Sequence, residues 1–163
     1  MARLDEVGAL DGWRCWLCDE PVDPTMSVND PRGPSIDACM TKAKAKARGK
    51  HGGSGKSGGS GGASPERLAH RGCNTGKGAT APVVPWPDHL FVVDPAPIIA
   101  SVERLGRKGG REAMARCPTR ADADEAATWL VERIGRLEPD LAVTAEVEAG
   151  GGQFLLALRA TSR

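Results

Sequence analysis

"CWLCDEPVDPTMSVNDPRGPSIDAC", residues 15–39, opens with two cysteines two residues apart and closes through Ile36-Asp37-Ala38. Thiols so spaced can reach one ion from a tight turn, yet they fill only half of a tetrahedral shell. The other half stands in "ERLAHRGCNTGKG", residues 66–78, a stretch that reads as a short helix and carries His70-x-x-Cys73. Two such pairs, joined by a loop long enough to bring them together, supply the thiolate and imidazole donors that structural zinc prefers, at about 2.0–2.3 Å. Cys15, Cys18, His70 and Cys73 are therefore the expected Zn2+ ligands. The competing reading is a redox pair at Cys15 and Cys18 with His70 on a helix surface. Cys39 and Cys117 have no partner at ligand spacing and read as small apolar residues.

The rest of the composition agrees with a stapled module. Four Trp, two Phe and no Tyr in 163 residues leave the core to Val, Leu, Ile and Ala, and small cores of that kind need reinforcement. The N-terminal "MARLDEVGALDG" holds no apolar run of signal-peptide length, and no segment approaches a membrane span, so the expected setting is the cytoplasm. Five cysteines without an export signal argue for metal over a disulfide framework.

The net charge of +1 conceals a local excess. Between positions 42 and 77 stand nine cations, Lys42, Lys44, Lys46, Arg48, Lys50, Lys56, Arg67, Arg71 and Lys77, against the single acid Glu66. A polyanion responds to that segment and not to the whole-chain sum. Two readings of the Lys/Ala run stand level: sequence-independent contacts to phosphate, or a solvated linker. Residues 42–63 are low in complexity, Lys/Ala giving way to Gly/Ser, and predict a flexible loop.

Domain boundaries follow the composition. Residues 1–12 read as a lead-in, 13–81 as a Cys/Gly/Pro/Lys-rich module, and 82–96 as a Pro-punctuated connector. Residues 97–163 form an accessory domain of β-α-β-β type. In the last, Ile98, Ile99, Val102 and Leu105 share a helical face, and Arg111 to Cys117 suits a strand. Thr119 with Asp122 resembles a capping box before the stripe Ala126, Ala127, Leu130, Val131, Ile134 and Leu137. Alternation from Leu141 to Val147 and back from Phe154 to Leu158 predicts a hairpin. No convergent titratable cluster is visible there, which suits recognition or self-association.

Taken in order, "CWLC", "PSIDAC" and "LAHRGCNTGKG" resemble the HNH (ββα-metal) endonucleases over about residues 13–80. The resemblance implies an α+β fold in which a zinc-stapled ββα-metal module precedes the accessory domain, with DNA as substrate. It implies that Asp37 and Asn74 hold a catalytic divalent ion, Mg2+ or Mn2+, as hard oxygen donors do. It also implies that Ala38 occupies the position of the general-base histidine, and an alanine accepts no proton. His51, in the flexible loop, is a candidate to replace it but has nothing to hold it in place, while His89 in "WPDHL" reads as structural. Lys42, Lys44, Lys46, Arg48 and Lys50, together with Arg71 and Lys77 beside Asn74, are the expected DNA contacts. Trp13 and Trp16, flanking the thiols, read as packing residues. Three functions follow as alternatives: an HNH-type endonuclease silenced by Ala38, a non-enzymatic zinc-stapled DNA-binding protein, or an assembly factor acting through its C-terminal domain.

Overall fold

The computed structural model describes residues 2–38, 66–78 and 83–161. The chain divides into two compact units, Met1–Pro82 and Val83–Arg163. Together they are mixed α+β, and among the described residues no helix is long and apolar enough to cross a membrane.

The first unit starts with a helix where the sequence reading had a lead-in: α1, Ala2–Leu10. Gly12 and Trp13, both at positive φ, turn the chain out of it. The Trp13 ring then lies so close to α1 that a Cβ on Gly8 would fall 2.6 Å from it, so any larger residue at position 8 must displace the indole. Asp11 fastens this helix to the rest. Its carboxylate accepts from the Leu68 amide and, at 2.8 Å, from Arg67 Nε.

A small hairpin-like turn follows, closed by a bridge between Arg14 and Pro21 and by the Cys15 amide on the Glu20 carbonyl at 2.9 Å. The chain then makes two Asx turns, with Asp23 accepting from Thr25 and Asp30 from Arg32, before reaching Gly33. A Cβ there would sit 1.9 Å from the Ser27 carbonyl oxygen, so the loop closes only on glycine.

Strand β1, Pro34–Asp37, pairs antiparallel with β2, Arg67–His70, in the register Ser35 to Ala69 and Asp37 to Arg67. Helix α2, Arg71–Lys77, runs on directly from β2. The helical reading of residues 66–78 is thus correct only from Arg71 onward, because burial of Leu68 and Ala69 against β1 favours extended backbone there. No side chain caps α2. Instead the loop before β1 turns its carbonyls onto the first amides, Gly33 to Arg71 at 2.9 Å and Pro31 to Gly72 at 2.7 Å.

The second unit includes the segment that the sequence suggested as a connector. Val93 exchanges two backbone hydrogen bonds with Arg116, and the Ala96 amide donates to the Met114 carbonyl. Trp86 donates to the Ala96 carbonyl and packs on Trp129 with ring centroids 5.6 Å apart. Residues 83–96 therefore cover a sheet edge, a place where prolines cost no ladder bond.

Helix α3, Ile98–Lys108, then precedes β3, Arg111–Cys117, α4, Arg120–Leu137, and the hairpin β4, Val143–Gly150, with β5, Gln153–Ala160. The expected β-α-β-β run is present, with α3 leading it. The sheet order is β3-β5-β4, all antiparallel. Leu105, Met114, Leu130, Ile134, Leu156 and Leu158 are fully buried between helices and sheet. On the sheet, Glu146 pairs with Arg111 and Arg159, and these two guanidinium groups hold its carboxyl below the usual glutamate range.

Thr119 starts α4 with a complete capping box, its hydroxyl accepting from the Asp122 amide at 3.1 Å and the Asp122 carboxylate accepting from the Thr119 amide. We predict that Thr119→Ala destabilises the second unit by about 1 kcal/mol, read as faster hydrogen exchange of the α4 amides with the first unit unchanged. Equal exchange in both proteins would mean that tertiary packing alone holds the helix start.

Candidate metal centre

Cys15, Cys18, His70 and Cys73 form a group that could hold a metal ion such as zinc, with one ligand atom from each within 4.8 Å of all the others. Three elements deliver them. The turn between Arg14 and Pro21 presents both thiols of the first pair, His70 is the last residue of β2, and Cys73 lies in the first turn of α2. The Cys18 Sγ is 3.3 Å from His70 Nδ1 and the Cys73 Sγ 4.0 Å. A tetrahedral shell of zinc places its corners roughly 3.3–3.8 Å apart, so the donors fit such an ion.

The imidazole is oriented for this purpose. Its Nε2 lies 3.1 Å from the Pro21 carbonyl oxygen, which can only accept. The proton is therefore on Nε2, and Nδ1 turns its lone pair toward the sulfurs. The His70 amide adds a hydrogen bond to Cys15 Sγ at 3.4 Å. Cys15 is fully buried and Cys18 exposed, so the cluster sits at the rim of the unit. Burial pushes the Cys18 thiol up, and burial together with the neighbouring Cys15 and Cys18 sulfurs pushes Cys73 up to about 12. Three sulfurs this close do not all ionise unless a cation joins them.

Beside this group lies a second polar cluster. Asp37, at the end of β1, accepts from Trp16 Nε1 at 3.1 Å on Oδ2 and meets Lys77 Nζ at 3.2 Å on Oδ1. The Asp37 and Lys77 side chains are each only 6% exposed. Removing one member of so buried a pair costs roughly 3–5 kcal/mol. Asn74 is brought to the same strand. Its Nδ2 donates to the Ile36 carbonyl at 3.2 Å and reaches Ser35 Oγ at 2.9 Å. The carbonyl fixes which end of the amide faces β1. Ala38 follows Asp37 and is exposed, without any proton acceptor.

The expected DNA contacts divide. Arg71 is exposed at the start of α2, with one guanidinium nitrogen on the Val28 carbonyl. Lys77 is buried on Asp37, and Arg67 is tied to Asp11 and lies over the Trp16 ring, 5.7 Å from its centroid. Lys42, Lys44, Lys46, Arg48, Lys50, Cys39 and His51 lie outside the described residues. His89 is exposed in the second unit, and Cys117 is buried in that unit's core.

The sequence reading missed Asp11 and the pairing of Trp16 and Lys77 with Asp37. Leu4 and Val7 at helical spacing ahead of Gly12 were the available signal for the former. No protein-family model, no curated protein and no solved structure matches the chain.

Because Cys18 and Cys73 hold their protons at neutral pH in the metal-free chain, binding an ion displaces both. Protons then compete with metal, so affinity falls as pH falls. We predict that the logarithm of Zn2+ affinity rises between pH 6 and 8 with a slope of at least about 2, measured by competition with a chromophoric chelator. A pH-independent affinity would show that thiolates do not bind the ion.

Proposed function

We propose that residues 13–81 are a zinc-stapled DNA-binding module of the HNH (ββα-metal) kind, one that holds DNA without hydrolysing it. The observation that carries this reading is the Asp37 corner. Its carboxylate is already bonded to Lys77 and Trp16 at a buried site, and the next residue, Ala38, cannot take a proton from water.

In this reading Zn2+, held by Cys15, Cys18, His70 and Cys73, supplies stability in place of a large core. It joins the first turn to β2 and α2 and takes no part in chemistry. The likeness to ββα-metal modules rests on the order of the motifs and is supported by the succession β1, β2, α2 beside the metal-binding group. DNA is the favoured partner because of charge. Arg67 and Lys77 are engaged by Asp11 and Asp37, so the reading rests on exposed Arg71 and on the cations that the sequence places between β1 and β2.

A second reading, an active Mg2+- or Mn2+-dependent nuclease, draws on Asn74, whose amide bonds the residue just before Asp37. Cleavage separates the two. Zinc-loaded full-length protein should bind duplex DNA by fluorescence anisotropy, with affinity falling steeply as salt rises, and should leave supercoiled plasmid intact with Mg2+ or Mn2+. Replacing Lys42, Lys44, Lys46, Arg48 and Lys50 by Gln should weaken binding to all sequences alike and flatten the salt slope by up to about 4.5. Divalent-ion-dependent nicking by the unaltered chain would establish the nuclease instead. Absence of salt-sensitive binding would remove DNA as the partner.

A further inference from the structure

We infer that Lys77 is a built-in counter-cation that closes the Asp37 corner to divalent ions. This rests on the HNH-like reading above, which would place Mg2+ or Mn2+ between Asp37 and Asn74, and the residues present do not fit such an ion.

Three features of the corner disagree with it. First, both carboxylate oxygens of Asp37 have donors, Trp16 Nε1 at 3.1 Å and Lys77 Nζ at 3.2 Å. An Mg2+ ion bonds carboxylate oxygen at about 2.1 Å. Bound to Oδ1, it would lie no more than about 5 Å from the ammonium, and two cations at that distance in a buried site repel strongly.

Second, the charge of Asp37 is already balanced. At 6% exposure neither side chain has enough water around it to stand alone, so each holds the other in place. Third, Asn74 offers the wrong end of its amide. Its Nδ2 faces β1, bonded to the Ile36 carbonyl, whereas hard cations bind oxygen and gather about six such ligands. Asn74 and Lys77 are three residues apart and so share one face of α2. That face turns donors, not acceptors, to the end of β1.

The experiment uses zinc-loaded full-length protein and two probes, Mn2+ followed by electron paramagnetic resonance and Tb3+ followed by tryptophan-sensitised emission, for which Trp16 on Asp37 is the antenna. Wild type and the doubly neutral variant Asp37→Asn/Lys77→Met should give the same weak titration. Lys77→Met alone should gain one saturable site per chain, tighter by about tenfold or more. Zinc content and circular dichroism report whether that variant is folded, and Lys77→Gln, which keeps a donor without the charge, replaces it if it is not.

A saturable site in wild type that the double variant lacks would overturn the inference, and this arm decides without any single variant. A folded Lys77→Met or Lys77→Gln with no gained site would overturn it equally. DNA affinity, measured without divalent ions, responds to none of these outcomes, so failure here is distinguishable from failure of the DNA-binding reading.

Discussion

His70 makes three different polar contacts from one residue: its Nδ1 faces the sulfurs of Cys18 and Cys73, its Nε2 bonds the Pro21 carbonyl, and its amide bonds Cys15 Sγ. It is also the residue at which β2 becomes α2. The extended backbone of β2, the direction in which α2 leaves, and the position of the turn at Arg14–Pro21 are therefore fixed together. A side chain that met only one of these demands would leave the four donors spread over three elements with nothing to hold them in register.

The Asp37 corner is coupled to this group through Trp16, which stands between the two thiols in sequence. Its amide donates to the Leu68 carbonyl, its indole N–H to Asp37, and its ring lies beneath the Arg67 guanidinium. Arg67 in turn reaches Asp11 after α1. Half-buried Asp11 and buried Asp37 each hold a cation together with a further N–H donor. Such pairs contribute little net stability compared with apolar packing, yet they disfavour any arrangement that separates their members.

Local signals were legible in the sequence and long-range ones were not. The capping box at Thr119 and Asp122 and the hairpin from Val143 to Ala160 involve residues close in the chain, so their spacing alone specifies them. The four side chains of the candidate metal centre were legible for a chemical reason, since Cys and His at paired two-residue spacing have few other uses. Strand β2 was not, because four residues carry no periodicity, and its extended form depends on pairing with β1, thirty or more positions earlier. The pairing of Asp37 with Lys77 was not legible either, because forty positions separate the two with nothing local to announce it. The segment 83–96 read as a connector because prolines punctuate it, and only the edge of β3 shows what it covers.

The antiparallel pairing of β1 with β2 has a consequence for how such a chain can vary. Asp37 and Arg67 face each other across the ladder, so the residues between the strands begin and end at neighbouring points whatever their number. Closing a longer span costs slowly, about 0.6 kcal/mol for each doubling of its length. The span between these strands is thus where insertions and deletions disturb the group formed by Cys15, Cys18, His70 and Cys73 least. The length of that span can change independently of the turn, strand and helix that bring those four side chains together.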